Sequence, residues 1–463
     1  HLDPKKQGRT VCEIFGAYGW SEGLKMMKWL VDHMLVRGIN HWIPHAFTTK
    51  DFPDFDCPPH FYAQGMNPQY PYFKYLINYM NRVSHLINGG VHIPNAAILY
   101  DAELDWVGDY RPLEYSGRVL AQNQIDYEII PADILLNCRV ENKQLTAAAE
   151  KYQALIIPKS EYLSEELINW CSSAIEEGFL ILSMDKNPES LESDNKLNAQ
   201  VVTEDSLVDV LKDHGVYELE LTKACTHLRY YHYRQPEFDL FLLFNESPNL
   251  AVNTEIKFRD YAGPIYQYDA FDNKLYNADY RTGYFKLELQ PYQAAIIVLG
   301  EIEQNFVNGS SAGKSIIQTR QELTQPWHLK LIPAGGELLR EGWIENLIDI
   351  TGPNNYPYFS GIMEYDTKFV LTGQCNDSGE VILDLGEVYE TVQVWVNGQS
   401  AGVRITPPYE LMITDFVKPG ENQLKIRVIN HLGHQQRDMF SQSLPLEPSG
   451  LLGPVVLKYY HYK

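Results

Sequence analysis

The chain has 463 residues, too many for one hydrophobic core and enough for three or four domains. Its apolar fraction of 44% excludes a disordered protein, and a net charge of −22 excludes nucleic acid and anionic membrane as partners, since both need a basic surface. No apolar run reaches the roughly 18 residues of a membrane-spanning helix.

The first stretch reads as strand, helix, strand, loop, helix. Val11 to Phe15 is a short apolar run interrupted by Glu13. Leu24, Met27, Leu30, Val31, Met34 and Leu35 recur at helical spacing and stop at Gly38. Ile39 to Pro44 is a second strand, and a loop rich in Pro, aromatic and polar residues runs from His45 to Tyr70. Tyr72 to Leu86 is helical again, closed by Gly89 and Gly90. Two βα units cannot close a sheet alone, so they predict the end of a larger fold, with sheet edges and apolar helix faces left uncovered.

From Asn95 to Asp185, strand and helix patterns alternate. Strands are predicted at 96–100, 125–130, 154–157 and 179–183, with helices at 111–122, at 161–177 behind Ser160, and at 206–212. This alternation predicts a parallel sheet with helices on both faces. From about Thr226 the period becomes two, with β segments at 227–233, 240–244, 254–258 and 293–299. The run Asn308 to Gly313 reads as a linker. After Trp327 the β pattern resumes, with turns at Asn397-Gly398 and Pro419-Gly420, as in a sandwich or jelly roll.

The 31 Tyr and 8 Trp suit sugar-binding surfaces, where rings stack on C–H faces, and β-sandwich cores equally. The six cysteines (Cys12, Cys57, Cys138, Cys171, Cys225, Cys375) form no CxxC and no even framework. Free thiols are predicted and a zinc site is not, which favours a cytoplasmic protein. The start at His1, without Met, reads as an engineered, proteolysed or truncated beginning, so the absence of a signal peptide leaves a periplasmic or secreted location open.

Chemistry concentrates in Cys12-Glu-Ile-Phe-Gly-Ala-Tyr-Gly-Trp20. A carboxylate inside an apolar strand is costly unless it faces a polar cavity, and in a (β/α)8 barrel the C-terminal strand ends line the active site. Gly16 and Gly19 allow a tight turn that would bring Tyr18 and Trp20 over such a pocket. A structural Glu bonded to nearby amides explains Glu13 as well. His41 and His45, four apart on one strand, suit substrate hydrogen bonding; a third ligand at motif spacing is missing, so no metal is predicted.

The run Glu13-Ile-Phe-Gly-Ala-Tyr-Gly-Trp20, with Met27-Lys-Trp-Leu, Val36-Arg-Gly-Ile-Asn40, Ile43-Pro-His-Ala-Phe47 and Asn67-Pro68 before Tyr70-Pro-Tyr72, resembles the end of the barrel in α-L-rhamnosidase-type glycoside hydrolases of family 106. Ala97-Ile-Leu-Tyr100, Ala154-Leu-Ile-Ile-Pro158 and Glu177-Gly-Phe-Leu180 resemble the flavodoxin- or amidotransferase-like domain of family 42 β-galactosidases. Phe359-Ser-Gly361, Leu383-Asp-Leu-Gly386, Val394 to Gly398 and Pro407-Pro-Tyr409 resemble the jelly-roll sugar-binding domain of family 2 hydrolases.

The resemblance implies a multidomain α/β and all-β chain: barrel units over 1–94, a flavodoxin-like domain over 95–218, a β-sandwich over 219–312, and a galactose-binding-like jelly roll over 313–463. It implies the C-terminal part of a bacterial α-L-rhamnosidase-like hydrolase that cleaves O-glycosidic bonds by acid/base catalysis, inactive as this chain alone. Glu13 would be the catalytic base, with Tyr18, Trp20, His41 and His45 binding substrate. The general acid, and any calcium of the complete enzyme, would lie upstream. A retaining β-galactosidase-like enzyme, with Glu13 as nucleophile, and a non-catalytic carbohydrate-binding or assembly protein are the alternatives. The implied partners are a carbohydrate substrate and either the missing barrel portion or further copies of the chain.

Overall fold

The computed structural model describes residues 2–278, 280–281, 283–310, 317–371, 379–443 and 445–461. Cys375 and the end of the predicted linker, 311–313, lie outside these. The chain is mixed α/β, with many sheets and few helices.

The first segment contains strand β1 (Val11–Ile14), helix α1 (Leu24–Leu35), strand β2 (His41–Pro44) and helix α2 (Tyr70–Leu86). Strands β1 and β2 pair in parallel, Val11 beside His41 and Glu13 beside Ile43. The apolar stripes of α1 and α2 do not lie open, contrary to the expectation from two isolated βα units. Leu30, Val31, Leu76 and Val83 pack on Leu240, Leu242, Phe244, Ile296 and Val298 of a seven-stranded sheet from the middle of the chain. Polar groups tie α1 to α2 and α2 to the middle of the chain. Lys28 pairs with Asp32, whose other oxygen accepts from Tyr79 Oη at 2.6 Å, and Arg82 donates to the carbonyls of Ala270 and Phe271 at 2.7 Å.

Residues 96–216 build a five-stranded parallel sheet. In chain order its strands are Ala96–Tyr100, Tyr127–Pro131, Ala154–Ile157, Leu180–Met184 and Gln200–Val202, and in space they run 2-1-3-4-5, a doubly wound arrangement. Both faces are covered, which is why Ala96, Ala97, Ile98 and Leu99 are all buried. Helix Glu165–Glu176 starts later than Ser160 predicts. Ser164 is the cap, its hydroxyl accepting from Leu167 N at 3.3 Å, and 162–163 form a short strand. A three-stranded antiparallel sheet (Arg139–Glu141, Gln144–Ala147, Glu150–Tyr152) fills the stretch that periodicity left unassigned.

The seven-stranded sheet faces a four-stranded one across a core of Leu228, Phe241, Leu243, Ile256, Leu287 and Ile297. With helices on one face and a sheet on the other, its strands are apolar at every position, as in Leu240 to Phe244. Residues 308–310 are not linker. Strand Val307–Ser310 pairs in parallel with Lys274–Asn277, and Asn308 Oδ1 accepts from Leu275 N at 2.9 Å. The last part of the chain is built on two antiparallel sheets, of six and four strands, closed over Trp327, Leu329, Met363, Tyr365, Val394 and Leu457, with a further two-stranded pair of Glu387–Tyr389 and Gly450–Gly453. Its Asn397-Gly398 hairpin has φ of 52° and 81°, as a two-residue primed turn requires.

Candidate functional site

Alternation along β1 and β2 puts Val11, Glu13, His41 and Ile43 on one face of the two-stranded sheet and Cys12, Ile14, Trp42 and Pro44 on the other. The second face is the helix side, where Ile14 is 5% exposed and Trp42 Nε1 donates to Ser84 Oγ at 2.8 Å. The first face is open: Val11 is 61% exposed, Ile43 is 57% exposed, and Glu13 is exposed between them. Parallel strands are ordinarily covered on both faces, so an open face with apolar residues and a central carboxylate is the unusual feature of this segment.

After Ile14 the chain turns sharply. Phe15 and Ala17 have φ of 77° and 65°, values that non-glycine residues seldom adopt and that cluster at functional sites. Gly19 has φ of 85°, and a Cβ there would lie 2.6 Å from both Asp438 Oδ1 and Ser441 Oγ. Asp438 Oδ2 accepts from Trp20 N at 2.8 Å, so the C-terminal part of the chain holds this loop in place.

Trp20 does not overhang a pocket. It is 1% exposed, its ring edge-on to Phe52 and His60, and it fixes the loop from below. Tyr18 remains 39% exposed at the tip. His41 Nδ1 lies 3.1 Å from Asn40 Oδ1, on the same face as Glu13. His45 is half-buried beside Gly16, 6.3 Å from the His60 ring, and its Nδ1 is buried with no hydrogen-bond partner among the described residues. Glu13 and His41 therefore share the open face, while His45, Tyr18 and Trp20 belong to the loop at its C-terminal end. The loop after β2 adds exposed Phe47, Tyr62 and Tyr70, whose rings meet edge-on, Phe47–Tyr70 at 6.1 Å and Tyr62–Tyr70 at 5.2 Å. The aromatic content of that loop was the only sequence signal for them.

Sequence reasoning missed a second carboxylate near Tyr18. Glu22 is 3% exposed, both its oxygens lack a partner among the described residues, and burial and then Glu390 push its pKa well up. Tyr18 is raised too, by burial and then by Glu22 and Cys12. Glu390 arrives from the C-terminal sheets and occupies the start of α1. Gly23, the N-cap, has no side chain to offer, and a Cβ on it would sit 1.7 Å from Glu390 Oε1. The carboxylate takes the place of a missing cap at the positive end of the helix, bonded by Gln69 Nε2 and the Lys25 amide.

No family model matches the chain. The chain superposes over 98% of its length on the structure of the rhamnosidase from Novosphingobium sp. PP1Y, with a TM-score of 0.73 and 20% identity, and covers 48% of that protein. The fold is glycoside hydrolase-like. The chain spans about half the length of that enzyme. A protein of Formosa agariphila named "Putative beta-glucuronidase" is 36% identical over 74 residues, 16% of this chain and 6% of its own length. Gan42B, a GH42 β-galactosidase, aligns with 60% of the chain and 51% of its own at a TM-score of 0.41 and 10% identity.

Proposed function

We propose that this chain is the C-terminal part of a glycoside hydrolase acting on α-L-rhamnosides, with Glu13 as one of its two catalytic carboxylates. The observation that carries this reading is the open face of the β1–β2 sheet, with Glu13 at its centre, beneath the strained loop at the strands' C-terminal end. Further parallel strands would cover that face and turn it into a barrel interior, whose C-terminal mouth is where such enzymes work. Superposition along nearly the whole chain on a rhamnosidase about twice as long supports the same placement.

In that setting Glu13 takes a proton from water as the water oxygen bonds to the anomeric carbon. The glycosidic C–O bond breaks, and a carboxylic acid from another strand protonates the leaving oxygen. His41, His45 and Tyr18 donate to or accept from sugar hydroxyls, and exposed Phe47, Tyr62 and Tyr70 offer faces for C–H stacking. Trp20 positions the loop.

The test is turnover of a panel of aryl glycosides by the complete protein, with the anomer of the first product read by NMR. Hydrolysis of the α-L-rhamnoside with inversion is expected. Retention would make Glu13 a nucleophile, and turnover of the β-galactoside alone would overturn the substrate class. Among the described residues Glu13 is the one carboxylate on the β1–β2 open face, so the chain by itself should hydrolyse none of them at a useful rate.

A further inference from the structure

The outer face of the last six-stranded sheet carries a line of side chains that the candidate site does not use. Pairing sets Trp343 beside His328, His328 beside Asp366, Asp366 beside Lys425 and Lys425 beside Trp395. They come from five adjacent strands (Arg340–Ile344, Trp327–Pro333, Gly361–Val370, Glu421–Ile429 and Thr391–Val396) and form one row across the sheet. Their strand neighbours Trp327, Tyr365, Leu424 and Val394 point the other way, into the core. We propose that this row is a binding platform for a neutral oligosaccharide chain, separate from the face that bears Glu13.

Both ends of the row are aromatic. Trp343 is 66% exposed, with the His328 ring edge-on to it at 5.1 Å. Trp395 is half-buried, its ring held by the Arg427 guanidinium at 5.2 Å and Lys425 Nζ at 6.0 Å. Rings fixed in this way stack on sugar C–H faces with little further loss of side-chain freedom. Four inter-strand steps put the two tryptophans roughly 19 Å apart, a span that several linked sugar rings cover. Between them lie groups that bond hydroxyls. Asp366 is half-buried and makes no hydrogen bond or ion pair among the described residues, so its oxygens can accept. Lys425 Nζ gives one of its three donors to Glu364 at 2.9 Å and keeps the others.

The charge balance selects the class of ligand. In this row and the next, Lys330, Lys425 and Arg427 offset Glu341, Glu364 and Asp366, three against three, on a chain of net charge −22. Lys330 pairs with Glu341 at 3.0 Å, and Arg427 Nε donates to Glu364 at 2.9 Å. Such a strip offers no field to a polyanion or a polycation and suits an uncharged chain of hydroxyls. The strip also runs toward the candidate site. Gln393, on the same face as Trp395, accepts from Tyr72 Oη at 2.9 Å, and Tyr72 lies in the first turn of α2 with exposed Tyr70. That the bound glycan is also the substrate rests on the proposed function; binding itself does not.

The experiment is native electrophoresis of the chain through gels that each hold one polysaccharide. Xyloglucan, galactomannan and arabinogalactan are the neutral arms and polygalacturonate the acidic one. Retardation by at least one neutral polymer is expected, and none by polygalacturonate. Trp343→Ala and Trp395→Ala should each weaken the retarded complex about tenfold or more, whereas Glu13→Gln should leave it unchanged. Circular dichroism checks folding; if Trp395→Ala fails to fold, the exposed Trp343 position decides alone. No retardation by any neutral polymer, retardation by polygalacturonate alone, or an unaltered complex with folded Trp343→Ala overturns the proposal. A dimer on gel filtration that Trp343→Ala dissolves would overturn it too, by making the face a contact between copies. Because the readout is binding without turnover, failure of the platform leaves the glycosidase reading standing.

Discussion

Glu390 makes the sharpest residue-scale statement. Its carboxyl is pushed up to about 7 by burial, against the pull of Lys25 and Gln69. A carboxyl raised on folding binds more protons in the folded than in the unfolded state, so its contribution is fully present below about pH 4.5 and is lost as pH rises through about 7. Burial pushes Glu22 in the same direction. Urea unfolding should therefore show stability falling between about pH 5 and 8, by roughly 3 kcal/mol if Glu390 alone is responsible, and Glu390→Gln should flatten that slope. A wild-type profile that rises over this range would contradict the assignment. Gly19→Ala should cost about 1–3 kcal/mol, through both its positive φ and the approach of Asp438 and Ser441; an unchanged urea midpoint would mean the loop is not held this way. Glu13 and His41 were legible as candidates because a carboxylate and an imidazole inside apolar strands are costly anywhere else. The burial of Trp20 was not legible, since Asp438 and Ser441 are over 400 residues away and no local pattern announces them.

At the scale of elements, period-two and 3.6-residue patterns placed the five longer helices and the strands they delimited to within a few residues, and left most of the shorter strands unplaced. The errors have physical causes. The helices expected from 111 and 161 start at Glu114 and Glu165, the second because Ser164 and not Ser160 is its cap. Residues 139–152 form a small sheet of three- and four-residue strands, too short for alternation to register. Asn308 has a linker's composition but is used as a hydrogen-bonding strand residue. The covering of α1 and α2 is the larger lesson: their apolar stripes were visible, but what they face was not. Leu76, fully buried between α2 and the sheet, tests that contact. Leu76→Ala should lower the unfolding free energy by about 2–5 kcal/mol in urea denaturation, and a change under about 0.5 kcal/mol would mean that α2 is not docked in solution.

For the whole molecule, the open face of β1 and β2 organises the account. The helix side of this pair is closed by the chain's own middle, the loop above it is clamped by the chain's C-terminal part, and the face bearing Glu13 is exposed. The general organisation was readable from the alternation of patterns, and the glycoside hydrolase-like fold follows from the superposition. How the parts pack was not readable, because contacts such as Gln69 with Glu390 join residues 321 positions apart. The measurement that bears most directly on the central claim is steady-state kinetics of the complete enzyme carrying Glu13→Gln, with substrate binding measured in parallel. Glutamine keeps the shape but cannot accept the proton, so kcat for an aryl α-L-rhamnoside should fall by about 10² or more while binding survives. A variant with near-normal kcat would contradict the account and remove Glu13 from the chemistry.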